Sequence, residues 1–141
     1  FLHKIKGESL KMISLDFCLF IFDFNRVAKG EKQVKTERFE VYGGTMVIHL
    51  GEDLDHHNAV YIREMADGYI EKYPIDRIIF DFSGVEFMDS SGIGVIMGRY
   101  KQMTYVGGSV FVYGIGKNVD RIFRMSGLYK LVKQWNQTEE R

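Results

Sequence analysis

Two polar clusters hold the side chains whose types and spacing could do chemistry. The first is Phe87-Met88-Asp89-Ser90-Ser91-Gly92-Ile93-Gly94. It follows an apolar run, Arg77 to Phe82, and opens a stretch with helical spacing. Ser90 therefore falls at a helix start, where unpaired backbone N–H groups and the positive end of the helix dipole face outward. A phosphoryl group on Ser90 is accommodated there. It also sets about −1.5 to −2 charge beside Asp89, which repels it. That combination suits a switch: tolerated in the free protein, disruptive at a close interface. The same residues also read as plain capping by Ser90 or Ser91, with Asp89 bonded to nearby amides.

The second cluster is Asp53, Asp55, His56 and His57, with His49 close in sequence and Asp81 at the next strand end. Carboxylates and imidazoles ligate Zn, Fe or Mn. Adjacent histidines diverge on an extended chain, so a shared ion is awkward. Asp-His-His resembles a motif of metal-dependent phosphoesterases, but those enzymes need further carboxylate motifs and a longer chain. Loop hydrogen bonds and a helix entry account for the cluster without metal. Partner contact by His56 and His57 is a third use.

Other chemistries lack their patterns. Gly92-x-Gly94-x-x-x-Gly98 misses the dinucleotide spacing by one, and no GxxxxGK[ST] loop occurs. Ser90 is not in a G-x-S-x-G elbow. Cys18 is the only cysteine, which excludes an internal disulfide and a multi-cysteine zinc site. Lys plus Arg total 19 and Asp plus Glu total 19, so no global basic field recruits nucleic acid or anionic lipid. Arg99, Lys101, Arg121 and Arg124 form no continuous basic patch, and no aromatic–basic interleaving marks nucleic-acid recognition.

The elements that must position these clusters follow from periodicity. With 141 residues and 45% apolar content, the chain supports one ordinary domain. Val34 to Tyr42 and Thr45 to Gly51 read as two strands joined by Gly43-Gly44, a hairpin turn. Asn58 is the expected cap of a helix whose apolar stripe is Ile62, Met65, Ala66, Tyr69, Ile70 and Tyr73; Pro74 stops it. Arg77 to Phe82 has little alternation, as a central strand covered on both faces does. Ser91 to about Tyr105 is a helix whose Gly92, Gly94 and Gly98 suggest close approach of backbone to sheet or partner. Ser109 to Tyr113 is a strand, and Lys117 to Ser126 is a helix capped by Gly127. Leu131 and Val132 suggest a short last strand, with Trp135 packing nearby. The order is ββαβαβα, an α/β domain.

Residues 1–33 differ in texture. They hold five of the 11 phenylalanines and a formal charge of +2, against −2 for the rest. Phe17 to Phe22 is far shorter than the roughly 20 apolar residues of a membrane span. Counted from Met12, the run is preceded by Asp16 and has no basic start, so a signal peptide is not expected. Two readings stay open. Leu15 to Phe24 is an extra strand covering an edge or packing on a partner, or the segment lies upstream of the natural start. For the latter, Lys29-Gly30-Glu31 suits a purine-rich ribosome-binding site, with Val34 as an alternative start.

Four separated motifs resemble one family. They are Gly51 to Ala59, Phe87 to Lys101, Val106-Gly107-Gly108 and Arg121 to Leu128. They are similar to the anti-sigma factor antagonists of the STAS domain family, closest to the sporulation antagonists of Bacillus-type bacteria, over about residues 34–133. The resemblance implies a STAS domain at 34–136, with a non-family extension at 1–33 and a polar tail at 137–141. It implies a mixed four- or five-stranded sheet with helices alongside. It implies a cytoplasmic protein with no catalytic activity and no cofactor. The partner would be an anti-sigma factor serine kinase that itself binds ATP, and its phosphorylation of Ser90 would switch binding off. A PP2C-type phosphatase would reset the switch. Asp55, His56, His57, Asp89, Ser91, Gly92 and Ile93 would lie at the partner interface; no direct nucleic-acid or membrane contact is implied. One departure is the first loop, Gly51-Glu52-Asp53-Leu54-Asp55, which is one residue longer than the family's Gly-Glu-Leu-Asp and makes Asp53 a candidate bulge. The rival functions are a non-switching STAS scaffold and a metal-dependent phosphoesterase built on Asp53, Asp55, His56 and His57.

Overall fold

The computed structural model describes residues 34–36 and 38–135. The expected strand at Leu15 to Phe24 and the tail at 137–141 lie outside them. The strands are β1 (Val34–Lys35), β2 (Phe39–Tyr42), β3 (Thr45–His49), β4 (Arg77–Asp81), β5 (Ser109–Tyr113) and β6 (Lys133–Gln134). The helices are α1 (His56–Lys72), α2 (Ser90–Tyr105) and α3 (Lys117–Ser126), followed by a 3₁₀ turn at Leu128–Lys130. The strands make one mixed sheet in the order β1-β2-β3-β4-β5-β6. β1, β2 and β3 pair antiparallel, and β3 through β6 pair parallel. The ββαβαβα order holds, with a two-residue strand added at each edge.

Three local differences from the sequence reading have physical causes. Val34 to Tyr42 is two strands, because Thr36 bonds back to Phe39 through both its backbone N–H and its hydroxyl. The last strand lies two residues beyond Leu131-Val132, because those residues continue the turn after α3: Leu131 and Val132 both donate to the Leu128 carbonyl. Asn58 is not the cap of α1. Asp55 takes that place, and its carboxylate accepts from the Asn58 N–H at 3.0 Å.

The topology puts all the helices on one side. Strands β3, β4, β5 and β6 advance in one direction, so three right-handed crossovers lay α1, α2 and α3 on the same face. Phe39, Val41, Met46, Ile48, Ile78, Phe80, Val110 and Val112 point to that face. They pack with Ala59, Ile62 and Ala66 of α1, Val95, Ile96 and Met103 of α2, and Val119 and Phe123 of α3. Arg99 is turned inward rather than offered as part of a basic patch. Its side chain reaches Gln102 at 2.6 Å and Asp67 of α1 at 3.4 Å, and so ties α1 to α2. Burial holds its pKa below the usual guanidinium value. Gly127 takes the left-handed conformation, φ 79°, that ends α3.

On the opposite face, His49 is held between two carboxylates. One ring nitrogen lies 2.7 Å from Asp81 and the other 3.0 Å from Glu40. Burial favours the neutral ring, but the hydrogen bonds to Asp81 and Glu40 outweigh it and lift the pKa to about 9.

Candidate functional site

The two polar clusters meet because two loops are stitched together. The loop after β3 and the loop after β4 run parallel and form a bridge between Leu54 and Met88. Leu54 donates to the Phe87 carbonyl at 3.0 Å. Both Leu54 and Met88 are buried, so apolar burial anchors the bridge. Asp53 adds a second stitch: its carboxylate accepts from the Glu86 and Phe87 N–H groups at 2.9 and 3.1 Å. The residue considered as a bulge or a ligand is therefore a brace between loops.

One residue past the bridge on each strand is an aspartate, and each caps a helix. Asp55 caps α1. Asp89 caps α2 and accepts from the Ser91 N–H at 2.8 Å. Capping therefore falls to Asp89, not to Ser90 or Ser91. That leaves Ser90 exposed in the first turn of α2, with its hydroxyl uncommitted to a cap.

Gly92 sets how closely the second helix starts. It is buried, and a Cβ there would lie 2.5 Å from Met88 Cγ and 2.9 Å from Leu54 Cγ. Only hydrogen fits over the bridge. Gly94 and Gly98 differ: nothing lies within 4 Å of where their Cβ atoms would be. The close approach expected of all three glycines within the chain holds for Gly92 alone.

His56 and His57 begin α1 rather than ending a loop, because Asp55 moves the helix start forward. Both are exposed, and their rings sit edge to face at 5.8 Å. His56 Nδ1 lies 3.4 Å from the Ser91 hydroxyl, so the histidine pair and the serine pair share one surface. Ile93 is half-buried and packs against the core, with part of its side chain still accessible. Two neighbours of this surface escaped the sequence reading. Phe87 is 52% exposed and Met97 38%. For Phe87 a signal existed: it precedes buried Met88 in an extended loop, so alternation turns it outward.

The metal reading finds no support in this geometry. Asp53 and Asp55 are engaged with backbone amides. His49 and Asp81 face each other at the far side of the sheet, within the pairing with Glu40. Among the described residues no three His, Cys, Asp or Glu side chains gather as an ion site. No helix among them is long and apolar enough to cross a membrane.

Residues 38–141 match the STAS domain. This chain belongs to the STAS domain family. The anti-sigma F factor antagonist of Paenibacillus polymyxa is 37% identical over 93 residues, 66% of this chain and 80% of that protein. Two solved structures of SpoIIAA superpose with TM-scores of 0.57. The unphosphorylated form of this anti-sigma factor antagonist is 27% identical and covers 77% of this chain and 91% of its own. The phosphorylated form, of a Bacillus cell-fate determinant, is 28% identical over 77% of this chain and 94% of its own. In this STAS domain the stitched loops present both helix starts at one end of the sheet.

Proposed function

We propose that the chain is an anti-sigma factor antagonist: a non-enzymatic binding protein that docks on an anti-sigma factor and thereby frees a sigma factor. Its relatives carry that name, and one of them is known in a phosphorylated and an unphosphorylated form. The observation that carries the reading is Ser90, exposed in the first turn of α2 with Asp89 already serving as the cap. The hydroxyl is open to a kinase, and the helix start tolerates the product. The partner is then a serine kinase that brings its own ATP, and a PP2C-type phosphatase removes the group. The action is cytoplasmic, where sigma factors work.

The surface suits docking. Asp89 and Ser91 flank Ser90 in the chain and His56 reaches the Ser91 hydroxyl at 3.4 Å; with Asp55, His57 and Ile93 they make the docking patch of this reading, while Gly92 works from behind by letting α2 start close. Phosphorylation puts a dianion next to the Asp89 carboxylate at the centre of this patch. A loss of about 1.4 kcal/mol on docking weakens binding tenfold.

The test is phosphoryl transfer from the cognate anti-sigma kinase to wild type, Ser90→Ala and Ser91→Ala. Labelling is expected for wild type and Ser91→Ala and not for Ser90→Ala. Equal labelling of wild type and Ser90→Ala would overturn the assignment.

A further inference from the structure

Two serines stand side by side at the start of α2, and only one of them is held. Ser90 is exposed, with its hydroxyl uncommitted to a cap. Ser91 is half-buried, and two groups fix it. Asp89 accepts from its N–H at 2.8 Å, and His56 Nδ1, from the start of α1, lies 3.4 Å from its hydroxyl. That contact joins residues 35 positions apart and crosses between the two stitched loops. Either ring tautomer serves it. With the ring proton on Nε2 the Ser91 hydroxyl donates to Nδ1, and with the proton on Nδ1 the ring donates to the hydroxyl oxygen. The His57 ring, edge to face at 5.8 Å, backs the His56 ring. Asp55 caps α1, so the His56 side chain is free for this contact.

We propose that His56 is a specificity-determining residue: it holds the Ser91 hydroxyl toward α1 and leaves Ser90 as the one nucleophile of the pair. The proposal rests on the reading of this chain as a kinase substrate. In that reaction a serine oxygen attacks the γ-phosphorus of the kinase's ATP. The Oγ–P bond forms, the bond from phosphorus to the ADP oxygen breaks, and the hydroxyl proton passes to a base of the kinase. The attacking and leaving oxygens must stand roughly in line. The half-covered Ser91 oxygen reaches that line only by leaving His56, whereas Ser90 leaves nothing. One hydrogen bond weighs about fivefold in rate. An imidazole beside a serine hydroxyl is also the arrangement of an activating base. Here the ring attends the half-buried serine, and 3.4 Å exceeds the roughly 2.6–3.2 Å of a working nucleophile–base pair.

The test maps phosphosites by fragmentation after transfer from the cognate anti-sigma kinase to the full-length chain. In wild type the label should sit on Ser90. In His56→Ala the share on Ser91 should rise about fivefold. His56→Asn, whose side-chain amide stands where Nδ1 does, should return that share to the wild-type level. Label confined to Ser90 in both wild type and His56→Ala would overturn the proposal and leave the kinase-substrate reading in place. Loss of all label in His56→Ala would overturn it as well, making His56 a docking requirement. Ser91 labelled in wild type and silent in His56→Ala would make the ring an activating base instead. An unlabelled wild type would sink the kinase-substrate reading and this proposal with it. The contact itself is tested without kinase. The ring nitrogen NMR shifts of His56 should change in Ser91→Ala and stay in Ser90→Ala; identical shifts in wild type and both variants would count against the proposal equally.

Discussion

The two helix starts, α1 and α2, are built alike and loaded differently. Each follows a buried apolar residue in the same bridge, Leu54 or Met88, and each is capped by the next aspartate, Asp55 or Asp89. The first turn of one then carries His56 and His57, that of the other Ser90 and Ser91. Capping by a carboxylate frees whatever follows it from structural duty. At α1 the freed groups are imidazoles that can touch a partner. At α2 the freed group is a hydroxyl that can be modified. The difference lies in the residue after the cap; the scaffold is common to both.

Four measurements break or sharpen that comparison. The largest expected effect is on the glycine found at only one of the two starts. Gly92→Ala should cost about 1–3 kcal/mol, the usual price of overpacking, because the added methyl meets Met88 and Leu54 below 3 Å. Urea unfolding measures it, with Gly94→Ala as the control. Gly94→Ala should be neutral to stabilising, since helix propensity favours alanine and the site is open.

Next come the caps. Asp55→Ala and Asp89→Ala should each cost about 1 kcal/mol, and Asp89→Asn much less, since asparagine caps as well as aspartate. Thermal unfolding separates them. Asp89→Asn also removes the charge facing a phosphorylated Ser90, so it should keep the fold while blunting the effect of phosphorylation on docking. The brace is similar: Asp53→Ala leaves two N–H groups without their acceptor and should cost about 1 kcal/mol.

The last effect is read along the pH scale and lies away from the site. The His49 pKa stands near 9 in the folded chain against 6.5 for a free ring. A raised pKa stabilises the fold fully below about 6.5, and that contribution fades as pH rises through about 9. Stability measured from pH 6 to 9.5 should therefore fall in wild type and fall less in His49→Gln.

Much of this was legible in the sequence because it is local. The limits of α3, the stop of α1 before Pro74 and the Gly43-Gly44 hairpin follow from propensity and turn chemistry over a few residues. The α1 cap was misplaced at Asn58 because the true start depends on Leu54 pairing with Met88, 34 residues away. The same long-range stitch decides that Asp53 is a brace and that Gly92, not Gly94 or Gly98, is the tight position. Ser90 was found because its neighbours mark a helix start, but only the fold shows that Asp89 relieves it of capping. The burial of Ile79 had a partial signal in the unbroken apolar run of β4.

The central claim is that one phosphoryl group at Ser90 turns docking off. The direct measurement is the affinity of the purified full-length chain for its anti-sigma factor, before and after complete phosphorylation at Ser90 confirmed by intact mass. At least tenfold weaker binding after phosphorylation, with Ser90→Ala binding like the unmodified chain, is the result this account predicts. Equal affinity of the two forms would contradict it and leave a STAS scaffold that does not switch.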